Sequence, residues 1–409
     1  MSGLGGNQVP TAGISRVRHS FVVDQQQGVR LGMDAPYSVA MISLPDGRKA
    51  NLITESGQAE PAGLMLIDES TSTEGVLELI NAGRSVVWGG DFRNGRQLLS
   101  ELKSRLKSSS REEAAPDLLT RWRQQRAATK AQGELFERVM VVLEAGGQVA
   151  LRRAPDTRVA VDLAWGEAKS PRVVALNTLL GALSAAEWTR KGLTVPGLSG
   201  QLIPGFGVFS PTRNAYVNLL EHLEVDGKTV MDVGCGTGVL AFVLLQRGAS
   251  SAIGTDIEPR AVASARQNSE LLALNDRFKA VEADLFPEGE LADCIVFNAP
   301  WMPETPRTRL DSAVFDEEGS TLRRFIAALP DQLTEDGFAA LLISDLPERL
   351  GMRTPDHVER IATEAGMQVM NTFETPAVHK RTQDSSDPLH LARAAERIKM
   401  HVMKRVAKE

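Results

Sequence analysis

From Lys228 onward the chain alternates short apolar runs with helical patterns in a steady rhythm, and few folds accept that rhythm. "KTVMDVGCG" reads as a buried strand and "GVLAFVLLQRG" as a helix with Gly248 near its C-terminal cap. "SAIGTDI" is a second strand. The helix "PRAVASARQNSELLAL" follows, with Pro259 at its first position, where a missing N–H is tolerated. "KAVEADL" and "ADCIVFNAP" are the third and fourth strands, and "STLRRFIAALPDQL" is a helix interrupted by Pro330. "GFAALLISDL", "PDHVERIATEAG" and "MQVMNTFETP" then read as strand, helix and strand. Strands alternating with helices imply an α/β fold with a mostly parallel, doubly wound sheet.

Such sheets bind ligands at the carboxyl ends of their strands. The first strand ends in the turn "DVGCGTG" and runs directly into a helix. Gly234, Gly236 and Gly238 permit a sharp turn and a close ligand approach. Their spacing is G-x-G-x-G, not the dinucleotide G-x-G-x-x-G. Asp232 precedes the first glycine by two, which would repel a pyrophosphate and suit a cationic ligand. Asp256 ends the second strand, where a carboxylate can accept both hydroxyls of a ribose. Asp284 ends the third, placed for an adenine amino group. Each acid alone could be a helix cap. Three on successive strands beside a glycine turn describe a nucleoside site.

The fourth strand ends in "FNAPWMP", Phe297 to Pro303. Proline cannot donate to a β-ladder, so the strand stops here. An amide nitrogen is a poor nucleophile because its lone pair is delocalised. Two acceptors that hold its N–H groups can turn that lone pair toward an electrophile. Asn298 Oδ1 is one candidate, and the carbonyl of Ala299, aimed by Pro300, is the other. Trp301 offers a flat face against which a planar group can stack.

With these residues in view, 205–375 resembles the class I S-adenosylmethionine (SAM)-dependent methyltransferases. "DVGCGTG" is similar to their first motif, "TDIEP" to their second-strand acid and "EADLF" to their third. "FNAPW" stands where the amino-methylating branch carries Asn-Pro-Pro-aromatic. "LIPGFGVFSPTRN" and "LDSAVFDEEGSTLRRFI" resemble the strap and the acidic loop of the release-factor glutamine methyltransferases and the related "methyltransferase small" domains. The resemblance implies a seven-stranded sheet. It implies SAM as cofactor, S-adenosylhomocysteine (SAH) as product, and contacts from Asp232, Gly234, Gly236, Gly238, Asp256, Ile257, Asp284, Leu285 and Asn298. Phe209, Ser210 and Thr212 would line the site from the strap. Asn298, Ala299, Pro300 and Trp301 would form the catalytic tetrapeptide. Ala299 departs from the family's proline, which keeps the carbonyl but loses rigidity.

The remaining sequence is less specific. The 409 residues are 42% hydrophobic and 24% charged, with net charge −6, so no long-range basic field for nucleic acid exists. Two cysteines far apart exclude a disulfide framework, and no Cys/His spacing suggests a metal. No window nears the ~18 apolar residues of a membrane span, so the expectation is a cytoplasmic protein. Residues 1–15 read as a disordered tail, 16–70 as a small β-rich unit, and 71–195 as a mixed, largely helical domain. Residues 196–210 read as a strap, 211–385 as the catalytic domain and 386–409 as a basic C-terminal helix. One long helix is expected from Asp117 to about Leu143. Its Arg121, Arg123, Arg126 and Lys130 form a solvated face or a dock for an anionic partner. Asp345 reads as the cap of a turn, and His379, Lys380 and His390 as surface residues.

The expected activity is N-methylation of a planar amide or amine, with a protein glutamine among the acceptors. An RNA base amine, a small molecule and a non-catalytic SAM-binding scaffold remain as alternatives. Oligomeric state is not legible.

Overall fold

The computed structural model describes residues 38–55, 61, 63–109, 117–212, 214–308 and 310–407. The tail expected over 1–15 and residues 16–37 of the expected β-rich unit lie outside them.

The N-terminal half comprises β1 (Ser38–Ser43), β2 (Lys49–Thr54), β3 (Leu64–Ile67), α1 (Thr73–Asn81), β4 (Ser85–Trp88), α2 (Phe92–Ser109), α3 (Leu118–Glu137), β5 (Val139–Leu143), α4 (Arg158–Trp165), β6 (Arg172–Ala175) and α5 (Leu176–Lys191). The strands form one sheet in the order β1-β2-β6-β5-β4-β3. β1, β2 and β3 therefore belong to the same sheet as the strands after residue 71, and the described residues of 38–70 form no separate β unit. Local signals set the helix starts. Ser72 Oγ accepts from the Gly75 N–H at 3.1 Å, and Asp117 Oδ1 from the Thr120 N–H at 2.8 Å. The helix expected to run to Leu143 stops at Glu137. The β-branched stretch "VMVVL" becomes β5, buried between β4 and β6.

A two-stranded hairpin, β7 (Leu193–Thr194) with β8 (Gln201–Leu202), leads into the second half. There the elements are β9 (Thr229–Val233), α6 (Val239–Gln246), β10 (Ser251–Asp256), α7 (Pro259–Leu271), β11 (Phe278–Glu282), β12 (Ala292–Asn298), α8 (Ser320–Gln332), β13 (Leu333–Ser344), α9 (Leu346–Arg349), α10 (His357–Glu364), β14 (Met367–Pro376), α11 (His390–Ala394) and β15 (Arg397–Arg405). The seven-stranded sheet has the order β11-β10-β9-β12-β13-β15-β14. Within this sheet β15 alone runs against the direction of the other six strands. Pro330 does not break α8, which continues to Gln332. The central strands are buried on both faces: Cys294 and Val296 of β12 join one core, and Ile295 and Phe297 join the other.

The basic C-terminal helix is corrected to the five-residue α11 and then β15, which inserts between β13 and β14. The physical reason is a period of two. Ile398, Met400 and Val402 face one core, while Met403 reaches the opposite one. The interleaved Lys399 and Lys404 disguise that alternation as a charged helix. Residues 397–405 are thus part of the seven-stranded sheet.

The two halves meet through a partly buried cluster. Arg260 of α7 pairs with Glu55 at 2.8 Å, and Trp165 Nε1 donates to the same carboxylate at 2.7 Å. Phe206 of the strap lies edge-on to Trp165 and beneath the Arg260 guanidinium, each at 5.3 Å.

Candidate active site

β9 delivers Asp232 at 1% exposure. Its Oδ2 accepts from the Ala241 N–H at 3.0 Å, while Oδ1 is buried with no hydrogen-bond partner. Burial pushes this carboxyl up to about 7; the Ala241 N–H opposes the rise and the charge of Asp256 adds to it. The glycine turn follows. Gly236 has φ +55°, and a Cβ there would meet nothing within 4 Å, so the turn faces open space. Gly234 is tighter, with a Cβ position 3.1 Å from the Phe297 ring. Gly238 lies behind, at the start of α6, and does not line the cavity.

Asp256 Oδ2 accepts from the Gly236 N–H at 3.0 Å and Oδ1 from the Glu258 N–H at 2.9 Å. Burial raises its carboxyl as well. Asp284 differs: it is half-exposed and paired with Arg324 of α8 at 2.5 Å. Leu285 is held at φ +68°, an unusual backbone for leucine, with its carbonyl accepting from Thr255 Oγ1 at 2.6 Å. Ile257 stands 64% exposed on the rim. The cavity they surround measures about 420 Å³ and is also lined by Phe209, Asn298 and Pro300.

A second cavity, about 60 Å³, lies on the other side of Asn298. Phe209, Tyr216 and Asn298 line both cavities, and Trp301, Ser344, His379 and Glu396 line the smaller one. The Trp301 backbone is fixed by its main-chain N–H, which donates to the Val314 carbonyl at 3.0 Å. Burial, with the nearby Asp232 charge, keeps the Tyr216 phenol protonated far above its ordinary range.

Several expected residues are placed elsewhere. Ala299 is fully buried and lines neither cavity. Ser210 has a buried, unpartnered hydroxyl, and Thr212 is exposed; neither lines a cavity. Asp345 is not merely a turn cap. Its carboxylate accepts from Arg349 at 2.6 Å and from the Arg397 N–H at 2.7 Å, which ties β13 to β15. His379 is corrected from a surface residue, because its side chain is only 8% exposed. His390 is half-buried, and the Lys380 side chain lies outside the described residues. On α3, Arg126 is not simply solvated: it lies 3.5 Å over the Phe315 ring and donates to the Thr305 carbonyl at 2.6 Å. Arg123 reaches Glu304 at 3.4 Å, and Lys130 pairs with Glu134 on its own helix at 3.7 Å. Tyr216, Ser344, Glu396 and Arg324 were missed. No local pattern marks them, since strand order alone brings Ser344 and Glu396 together.

The chain is similar to several known proteins. Residues 205–299 match the ribosomal protein L11 methyltransferase (PrmA) family. A protein of Methanocaldococcus jannaschii named "Putative protein N5-glutamine methyltransferase" is 33% identical over 162 residues, which are 38% of this chain and 80% of that protein. The chain belongs to the class I SAM-dependent methyltransferases. This methyltransferase is also 41% identical over 88 residues to the ribosomal protein L11 methyltransferase of Salmonella newport. That match covers 22% of this chain and 30% of the relative. Among solved structures, the ribosomal protein L11 methylase of Lactobacillus delbrueckii subsp. bulgaricus aligns at 20% identity with a TM-score of 0.34. The alignment covers 52% of this methyltransferase and 83% of that chain. Among the described residues no helix is long and apolar enough to cross a membrane.

Proposed function

We propose that this methyltransferase binds SAM in the larger cavity and methylates the carboxamide nitrogen of a protein glutamine presented through the smaller one. The residues present fit the cofactor. The partnerless Oδ1 of Asp232 calls for a cation, which the α-ammonium of the methionine moiety supplies. Asp256 is placed for the ribose hydroxyls, and Ile257 and Leu285 for the faces of adenine. Asp284 reaches an adenine amino group by sharing or releasing Arg324. The cofactor brings a methyl group already activated on a sulfonium, so the chain's task is to orient and desolvate the acceptor. Asn298 Oδ1, at the boundary of the two cavities, accepts one amide N–H, and Trp301 stacks on the amide plane.

The observation that carries the glutamine reading is the size of the smaller cavity. At about 60 Å³ it holds about four to six water-sized groups. The planar end of a glutamine side chain fits that space. The name of the M. jannaschii relative supports the same reading. The RNA alternative loses support, because Arg123 and Arg126 are engaged with residues 304–315 of the same chain.

The test is tritium-methyl SAM incubated with protein and RNA fractions of the source cell. Label should enter protein and be released by acid hydrolysis as volatile methylamine, as an N-methyl carboxamide requires. Asn298→Ala should lower the rate about 100- to 1000-fold, the usual effect of losing one group that orients the transition state. Label in RNA, or absence of SAH binding by calorimetry, would refute the proposal.

A further inference from the structure

Asn298 can hold one of the two N–H groups of a carboxamide. The expected second acceptor, the Ala299 carbonyl, belongs to a residue that lines neither cavity. The smaller cavity offers another. His379 lines it with its side chain 8% exposed, and its Nδ1 is buried with no hydrogen-bond partner. Its Nε2 lies 3.4 Å from Glu396 Oε2. The other oxygen of that carboxylate accepts from Ser344 Oγ at 2.6 Å, and Glu396 is 6% exposed. The His379 backbone is fixed too, since the Thr382 hydroxyl donates to its carbonyl at 2.7 Å. A buried carboxylate that accepts from Nε2–H selects the tautomer whose Nδ1 carries a free lone pair. The remaining titratable group on the cavity wall is Tyr216, which stays protonated.

We propose that His379 Nδ1 is the second acceptor for the amide N–H and the base that takes its proton, with Glu396 and Ser344 as positioning residues. The proposal rests on nitrogen methylation as the chemistry of this site. A carboxamide nitrogen becomes nucleophilic as one N–H is drawn away, which gives a base more to do here than at an amine. The bonds balance. The nitrogen lone pair forms the N–C bond, and the C–S pair stays on sulfur as a neutral thioether. The N–H pair remains on nitrogen, and the proton moves to Nδ1. The resulting imidazolium is stabilised by Glu396 and later returns the proton to water. The triad spans three separate segments: the end of β13, the loop after β14 and the residue before β15.

His379→Asn keeps an oxygen near the Nδ1 position but cannot take up the proton. With the fraction that accepts label, kcat should fall about 100-fold, KM should stay within about threefold, and the wild-type pH inflection should vanish. Glu396→Gln should lower kcat about tenfold. SAH affinity and melting temperature should hold in both variants, which separates chemistry from misfolding. An arm that needs no acceptor is the ¹⁵N spectrum of the histidines, with His379 assigned from the variant. Wild type should show the Nε2–H tautomer at neutral pH, and Glu396→Gln should lose that preference. A wild-type spectrum with the proton on Nδ1 would overturn the proposal even if no fraction accepts label. So would His379→Asn retaining its rate and inflection. Label on RNA with the tautomer and inflection intact would sink the glutamine reading and leave the role of His379 standing.

Discussion

The two sheets of this protein both place acids at their strand ends, and they treat them differently. In the N-terminal sheet the acids are satisfied. Glu69, just beyond β3, accepts from Arg152 at 2.8 Å and from the Asp91 N–H at 2.6 Å. Asp91, 2% exposed, is held by Arg153 at 2.5 Å and by the Arg93 N–H at 2.9 Å. Those contacts hold both carboxyls below their ordinary range, led by the Arg153 hydrogen bond for Asp91 and by backbone N–H groups for Glu69. In the C-terminal sheet, Asp232 is buried one partner short, and burial drives it and Asp256 upward. The fold completes its acids in one half and leaves Asp232 alone one partner short in the other, as the proposed cation-binding role requires.

If the N-terminal acids serve structure, removing one partner should be felt as stability. Arg260 is 5% exposed on its side chain and grips both oxygens of Glu55, at 2.8 and 3.2 Å. Arg260→Leu strands a largely buried carboxylate and should cost about 3 kcal/mol in urea unfolding. The double variant Arg260→Leu with Glu55→Gln should recover a large part of that, because Gln keeps an acceptor for Trp165 Nε1. Equal losses in single and double variants would mean that packing on Phe206, not charge, joins the halves.

If Asp232 awaits a cation, its proton should report ligand binding. Its folded-state value of about 7 lies above the ordinary carboxyl value of ~4. The folded chain therefore binds a proton that the unfolded chain releases, and ligand-free stability falls as pH rises from about 4 through about 7. An ammonium that pairs with the ionised form reverses this. SAH affinity should rise about tenfold between pH 5.5 and 7.5, with proton release seen by calorimetry in buffers of different ionisation enthalpy. The SAH-induced shift in melting temperature should be larger at pH 8 than at pH 5.5. Asp232→Asn should flatten both trends. A flat wild-type profile would place Asp232 with the satisfied acids of the other sheet.

The parts of the site legible in the sequence are those whose meaning is local. Asp232, the glycine turn and Asp256 sit within one strand-turn-helix unit and the next strand, so periodicity alone aligns them. The pairing of Asp284 with Arg324 spans 40 residues and depends on where α8 lies. Ser344, His379 and Glu396 depend on β15 inserting between β13 and β14, an order that no spacing encodes. Misreading β15 as a helix concealed all three at once. The N-terminal sheet was equally hard to see. Its four-residue strands β3, β4 and β6 are too short to show a period, and β5 continues from α3 after a single residue.

Arg126 offers the smallest expected effect and the sharpest test of whether the halves divide their labour cleanly. It belongs to the N-terminal half, yet it lies over Phe315, and Phe315, Pro306 and Leu310 line the larger cavity. Arg307 Nη1 donates back to the Arg126 carbonyl at 2.8 Å, so helix and loop are fastened from both sides. Removing the guanidinium forfeits a partly desolvated cation–π contact worth about 1 kcal/mol. Arg126→Ala should therefore weaken SAH about fivefold, with the global unfolding midpoint nearly unchanged, and Arg126→Lys should fall between. Such a result would give the N-terminal half a direct hand in closing the cofactor cavity. Unchanged SAH affinity would confine that half to scaffolding and leave the residues after β12 to order themselves.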